Sequence, residues 1–159
     1  MDSTHATGPR PVGTELGVTD WVSLSQEMFT SFESITRSND PLHTDPAWVR
    51  SHTAFSSTIA PGLLTLSLLP YFHNQLRLVP EGHVSLNYGF DRVRWIAPVP
   101  VDAEVRARFV AGGTTPRANG DGFITRYEVT LEVRGQSRPA MIATWLGAMI
   151  PEPVRAPQQ

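Results

Sequence analysis

The chain has 159 residues, 40% of them hydrophobic and 18% charged, which suits one domain with a real core and excludes a disordered, highly solvated protein. A net charge of −2 argues against nucleic acid or an anionic membrane as the main partner. There is no cysteine, and all 13 basic residues are arginine, so disulfides, thiolate nucleophiles, cysteine-ligated zinc and lysine Schiff bases are excluded.

Residues 1–12 and 151–159 are rich in Pro, Gly, Ser, Thr and Gln and read as loose tails around a single domain over 13–150. The start, MDSTHATGPRP, lacks the basic and apolar stretches of a signal peptide. The longest apolar run, GLLTLSLL, is far short of the ~20 residues that span a bilayer. A cytoplasmic protein without a membrane partner is the expectation.

In chain order, Val18 to Leu24 reads as a short strand. Ser23 with Gln26 resembles a capping box that opens a helix over Ser25–Thr36, with Met28, Phe29, Phe32 and Ile35 on its apolar face. Asn39-Asp40-Pro41 forces a loop over Arg37 to Asp45, and Asp45-Pro46 reads as the N-cap and first residue of a short helical turn through Trp48. Pro61-Gly62 opens a second helix whose run Leu63–Leu69 is apolar nearly all round, as in a helix buried within its domain, and Pro70 should kink or stop it.

The second half alternates with period two. Val105, Ala107 and Phe109 oppose Arg106 and Arg108. Phe123, Thr125, Tyr127, Val129, Leu131 and Val133 oppose Arg126, Glu128, Thr130, Glu132 and Arg134. Gly112-Gly113 and Asn119–Gly122 are turn signals, and Ala140–Ile150 is a last, mostly apolar strand. The sum is an α+β domain: an antiparallel sheet of five or six strands curled around one buried helix.

Three segments carry a resemblance to a known family: Phe32–Pro46 with its PLHTDP, Ile59–Leu63 with Ser67 beyond it, and Leu86–Arg94. They resemble the MaoC-like dehydratases, which include (R)-specific enoyl-CoA hydratases and NodN-like proteins. The resemblance implies a single hotdog domain, its sheet wrapped around a central helix, that dimerises with its site near the interface. It also implies hydration of a trans-2-enoyl thioester or dehydration of its 3-hydroxy form. The family's site pairs an aspartate with a histidine in a pattern like Gly-Asp-x-Asn-Pro-Leu-His. Attack of water at C3 releases one proton while C2 gains another, so two acid/base groups or one bifunctional group are required.

On this chain the histidine position is His43, with Pro41 and Leu42 kept, but the aspartate position is Ser38 and the preceding glycine is Arg37. The family's Ala-His-Gly reads Ala60-Pro61-Gly62, without the second histidine. His43 is therefore the expected acid/base, because imidazole exchanges protons near neutral pH. Ser38 can hold a water or donate to substrate, but a hydroxyl cannot replace a carboxylate as base. Asp40 and Asp45 are alternatives for orienting the imidazole; each has a competing role in turn or cap formation. Gly62 and Pro61 occupy the turn where a thioester oxygen is expected to bind, and Ser67 touches substrate or bonds back within its helix. Trp48 and Tyr88, with Trp21, Tyr71 and Trp95, are candidates for an apolar substrate wall or for the core. Arg92 and Arg94 are candidates for meeting a phosphate-bearing carrier, or form a solvated strand face. The remaining histidines, His5, His52, His73 and His83, lack metal-ligand spacing, so neither metal nor cofactor is assigned.

The reading that follows is a hotdog enzyme repurposed for polyketide-type metabolism. It would dehydrate, isomerise or cyclise (by cycloaddition included) a small acyl-thioester or polyketide-like substrate, carried on coenzyme A or acyl carrier protein or released, as a homodimer. Two alternatives stand beside it: an ordinary (R)-specific enoyl-CoA hydratase using His43 with Asp40, and a non-catalytic subunit of a hotdog heterodimer.

Overall fold

The alternating segments of the second half build the sheet. In a computed structural model describing residues 10–118 and 120–153, β1 (Glu15–Val18) and β2 (Val22–Ser23) precede α1 (Gln26–Thr36), α2 (Pro41–Thr44) and α3 (Pro46–His52). Then come α4 (Gly62–Ser67), α5 (Leu69–Gln75), β3 (His83–Trp95), β4 (Glu104–Pro116), β5 (Phe123–Val133) and β6 (Met141–Pro151). The antiparallel strands run in the order β1-β4-β5-β6-β3, with β2 also on β4. Most of the two tail segments falls outside the described residues, as does Asn119 of the predicted turn.

Period two decides the faces. Val105, Ala107 and Phe109 on β4 and Tyr127, Val129 and Leu131 on β5 point inward with Met141, Ala143 and Trp145 on β6. They pack against Phe29 of α1, Leu64 of α4, and Leu69 and Phe72 of α5. Each such large apolar side chain contributes about 1.5–3 kcal/mol by leaving water. The outer face is ionic: Arg106 and Arg108 both pair with Glu132, and Trp21 lies under the Arg106 and Arg134 guanidinium groups at 4.5 and 4.9 Å.

Several expectations change. The strand predicted over 18–24 is two short strands broken at Thr19–Trp21, where the Thr19 hydroxyl accepts the Ala107 N–H at 2.9 Å. Ser25, not Ser23, caps α1, accepting the Met28 N–H at 3.3 Å, because Ser23 is paired with Glu104 in the sheet. The buried stripe of α1 runs through Phe29 and Glu33, four residues apart, which turns Ile35 outward to 81% exposure. Gly112-Gly113 is not a turn; β4 runs through it with a bulge between Ala111 and Gly113.

The second helix breaks as Pro70 requires. Pro70 has no N–H to give the Leu66 carbonyl, so α4 stops at Ser67 and α5 restarts at Leu69. Only one side of this pair is covered: Leu64, Leu69, Phe72 and His73 are buried, whereas Leu63 is 60% and Tyr71 50% exposed. The apolar run is therefore not buried on every face within one chain.

Candidate active site

The loop between α1 and α2 is shaped by its own backbone. Arg37 ends α1 in the left-handed region at φ 58°, and Asn39 repeats it at φ 54°; an L-residue there costs roughly 1–2 kcal/mol. Ser38 lies exposed between them. The loop is tied back to α1 by the Ser38 N–H on the Glu33 carbonyl at 3.1 Å. The buried Glu33 carboxylate also accepts the Asp40 N–H at 2.8 Å.

The two candidate carboxylates are engaged as caps. Asp40 Oδ1 accepts the Leu42 N–H at 2.8 Å at the start of α2, and its carbonyl accepts the His43 N–H at 3.1 Å. Asp45 Oδ1 accepts the Ala47 and Trp48 N–H groups, both at 2.9 Å, at the start of α3. Among the described residues no hydrogen bond joins either carboxylate to the His43 ring.

His43 is half-buried on α2, and its Nδ1 lies 2.8 Å from the Ile59 carbonyl oxygen. A carbonyl only accepts, so the neutral ring carries its proton on Nδ1 and presents a bare lone pair on Nε2. The Ile59 N–H returns to the Leu42 carbonyl at 3.4 Å. These two bonds bring the His43 loop against the turn that holds Pro61 and Gly62.

Gly62 is required by Trp95. A Cβ at position 62 would lie 2.9 Å from the indole, whose Nε1–H donates to the Gly62 carbonyl at 2.9 Å and to the Thr65 hydroxyl at 3.2 Å. Ser67 is exposed and donates to the Leu64 carbonyl at 2.7 Å, bonding back within its own helix. Trp48 stacks on His52 with ring centroids 4.7 Å apart. Tyr88 lines an open cleft of about 500 Å³ with Asp91, Thr114, Arg117, Arg126 and Leu146. A second cleft of about 420 Å³ lies beside Trp21 and Glu132, and neither includes His43. Of the predicted residues, then, His43 is bonded to Ile59, two residues before Pro61, while Ser67, Trp48 and Tyr88 make their contacts elsewhere. Arg92 and Arg94 are exposed on β3.

The sequence offered Gln26 only as the capping-box partner of Ser23, and it did not single out Thr58. The Gln26 amide donates through Nε2 to the His43 carbonyl at 2.7 Å and accepts the buried Thr58 hydroxyl on Oε1 at 2.5 Å. Its partners lie 17 and 32 residues away in sequence, and locally a glutamine in the first turn of a helix reads as part of its cap.

Comparison with known proteins agrees with this framework. Residues 8–133 match the family model described as a MaoC-like domain. Nodulation protein N of Rhizobium leguminosarum is 36% identical over 139 residues, covering 87% of this chain and 86% of that protein. The chain belongs to the MaoC-like dehydratase family. A second relative, 3-hydroxyacyl-thioester dehydratase Z of Mycobacterium tuberculosis, is 37% identical over 131 residues, covering 82% of this chain and 85% of that protein. Among solved structures, an R-hydratase from Pseudomonas aeruginosa superposes with a TM-score of 0.68 at 17% identity, over 94% of this chain and 90% of that one. The fold is the family's hotdog. No helix among the described residues is long and apolar enough to cross a membrane.

Proposed function

We propose that this protein is a hydratase- or dehydratase-type enzyme in which His43 alone handles the protons, acting on an acyl thioester with a polyketide-like chain. The observation that carries this reading is the His43 ring itself: Nδ1–H is spent on the Ile59 carbonyl and Nε2 is left with its lone pair, with Ser38 and not a carboxylate at the family's second position. One such base is sufficient for a dehydration that works on one face of the substrate. Nε2 takes the C2 proton beside the thioester carbonyl, the C2=C3 bond forms, and the C3–O bond breaks as the imidazolium returns the same proton to the departing hydroxyl, which leaves as water. Hydration is the reverse. A double-bond shift uses the same base to move a proton between two carbons. The engagement of Asp40 as a cap argues against the ordinary Asp40–His43 pairing. The acyl-thioester class is supported by the name of the mycobacterial relative.

We infer that the working unit is a homodimer formed through β3. This strand is 13 residues long and lies at the end of the sheet, with no strand beyond it among the described residues. Val84, Leu86 and Tyr88 are exposed along it, and an unpaired apolar edge is a template for another strand. The exposed Leu63 and Trp95 lie at its Gly62 end and add apolar surface for a second copy to cover.

Two measurements test the proposal. Purified protein is incubated with crotonyl-CoA and 3-hydroxybutyryl-CoA, and with His43→Asn as control; turnover that ignores this substitution would refute the reading. Light scattering of Leu86→Arg against the unsubstituted chain should show a dimer becoming a monomer. A chain that is stable only beside a different hotdog subunit carrying its own Asp/His pair would instead identify a non-catalytic partner.

A further inference from the structure

We propose that Gln26 is a positioning residue for His43, an inference that rests on His43 being the acid/base. Gln26 is the first residue of α1, directly after the Ser25 cap, so its side chain projects from a rigid element. Its amide has only one sensible orientation. The His43 carbonyl can only accept, so the NH₂ faces it at 2.7 Å, and Oε1 is then turned to the Thr58 hydroxyl at 2.5 Å.

Thr58 is fully buried, and its own carbonyl accepts the Val101 N–H at 3.0 Å. The next residue, Ile59, supplies the carbonyl that holds the His43 Nδ1–H. Gln26 therefore spans the two pieces of chain whose separation sets the imidazole's hydrogen bond: the backbone that carries the ring and the backbone that accepts its proton. Remove the amide and the 43 and 58–59 segments are no longer tied to α1 at a common point. Ile59 is then held to the His43 loop by the longer bond from its N–H to the Leu42 carbonyl at 3.4 Å, so its distance to Nδ1 loosens and the Nδ1–H tautomer is less strongly set. A glutamate at 26 would be worse than an apolar residue, because a carboxylate oxygen would face the carbonyl oxygen of His43.

The test reads the ring directly. Nitrogen-15 NMR of the full-length chain should show His43 as the Nδ1–H tautomer. In Gln26→Met, close in size, and more so in Gln26→Glu, the signal should move toward a mixture of tautomers with a changed titration midpoint. Turnover of 3-hydroxybutyryl-CoA should then fall about tenfold to a hundredfold in kcat with KM within about twofold, as expected for misplacement of a reacting group. Thr58→Val keeps the shape of residue 58 and removes only its hydroxyl; it should move the signal in the same direction by less, and carries the readout should Gln26→Met not fold. An unchanged His43 tautomer and midpoint in whichever of these variants folds would overturn the proposal, whatever the catalytic rates. A chain whose turnover is insensitive to His43→Asn would overturn the catalytic reading alone, leaving the tautomer result to judge Gln26.

Discussion

Two histidines divide the molecule. His43 stands on a short helix at the end of a strained loop, half-buried, with one ring nitrogen anchored and the other without a hydrogen bond among the described residues. His73, on α5, is buried in the core, where its Nε2 lies 3.1 Å from the Tyr127 hydroxyl and its ring packs edge-on against Phe109, Tyr127 and Trp145. Burial pushes the His73 pKa down to about 4. On the proposed function the same side chain is a reagent in one place, and it is a core aromatic in the other. The difference lies in whether a lone pair remains available to a substrate and whether water can solvate the charged form.

The sharpest way to break this contrast is at His43. His43→Asn should cost about 10²- to 10⁴-fold in turnover of 3-hydroxybutyryl-CoA, the usual contribution of a positioned acid/base group, with the thermal midpoint unmoved. A variant equally active, or one that is mainly unstable, would place His43 with His73 as structural.

At His73 the effect should appear in stability instead. A histidine held neutral in the fold takes up its proton only near pH 4, whereas the unfolded chain takes one up near 6.5. Stability should therefore be full above about pH 6.5 and fall as pH drops toward 4, by about 3 kcal/mol, with no further loss from this residue below that. Denaturant titrations across this range should show the slope, and His73→Gln, which keeps a partner for Tyr127, should flatten it.

Gly62→Ala probes the start of α4, three residues past the Ile59 carbonyl that holds His43. The added methyl meets the Trp95 indole at 2.9 Å, so the ring must move, at about 1–3 kcal/mol of stability by analogy with overpacking. Tryptophan fluorescence and denaturation together check both. The smallest expected change in stability is for Ser38→Asp, within about 0.5 kcal/mol because the residue is exposed. Its interest is catalytic: crotonyl-CoA hydration should rise if a carboxylate at 38 reaches the substrate beside His43. No gain would mean that the loop, with Arg37 and Asn39 left-handed around it, aims position 38 away.

Much of the site loop was legible because its chemistry is local. Asp45 and Pro46 act on neighbours two or three residues away, so the α3 cap and the end of α1 follow from short-range rules. The loop expected over 37–45 was wrong in part, because Asp40 caps a further helical turn, α2, from Pro41. Strands β4, β5 and β6 were legible for a related reason: one buried face imposes strict alternation. By contrast β3 carries register shifts between Asn87 and Gly89 and between Phe90 and Arg92. Each shift resets the alternation, which hid a 13-residue strand. Ile35 and Leu63 misled because an apolar residue on a helix does not state which side the sheet will cover.

The sequence by itself carried the resemblance to the family and determined strands β4, β5 and β6, since their alternation is written along the chain. Only the tertiary structure decided what His43 can do. The Ile59 carbonyl that sets its tautomer, the Gln26 amide that holds its backbone and the Trp95 ring against Gly62 come from distant segments. A hydrogen bond depends on separations in space that no local pattern encodes.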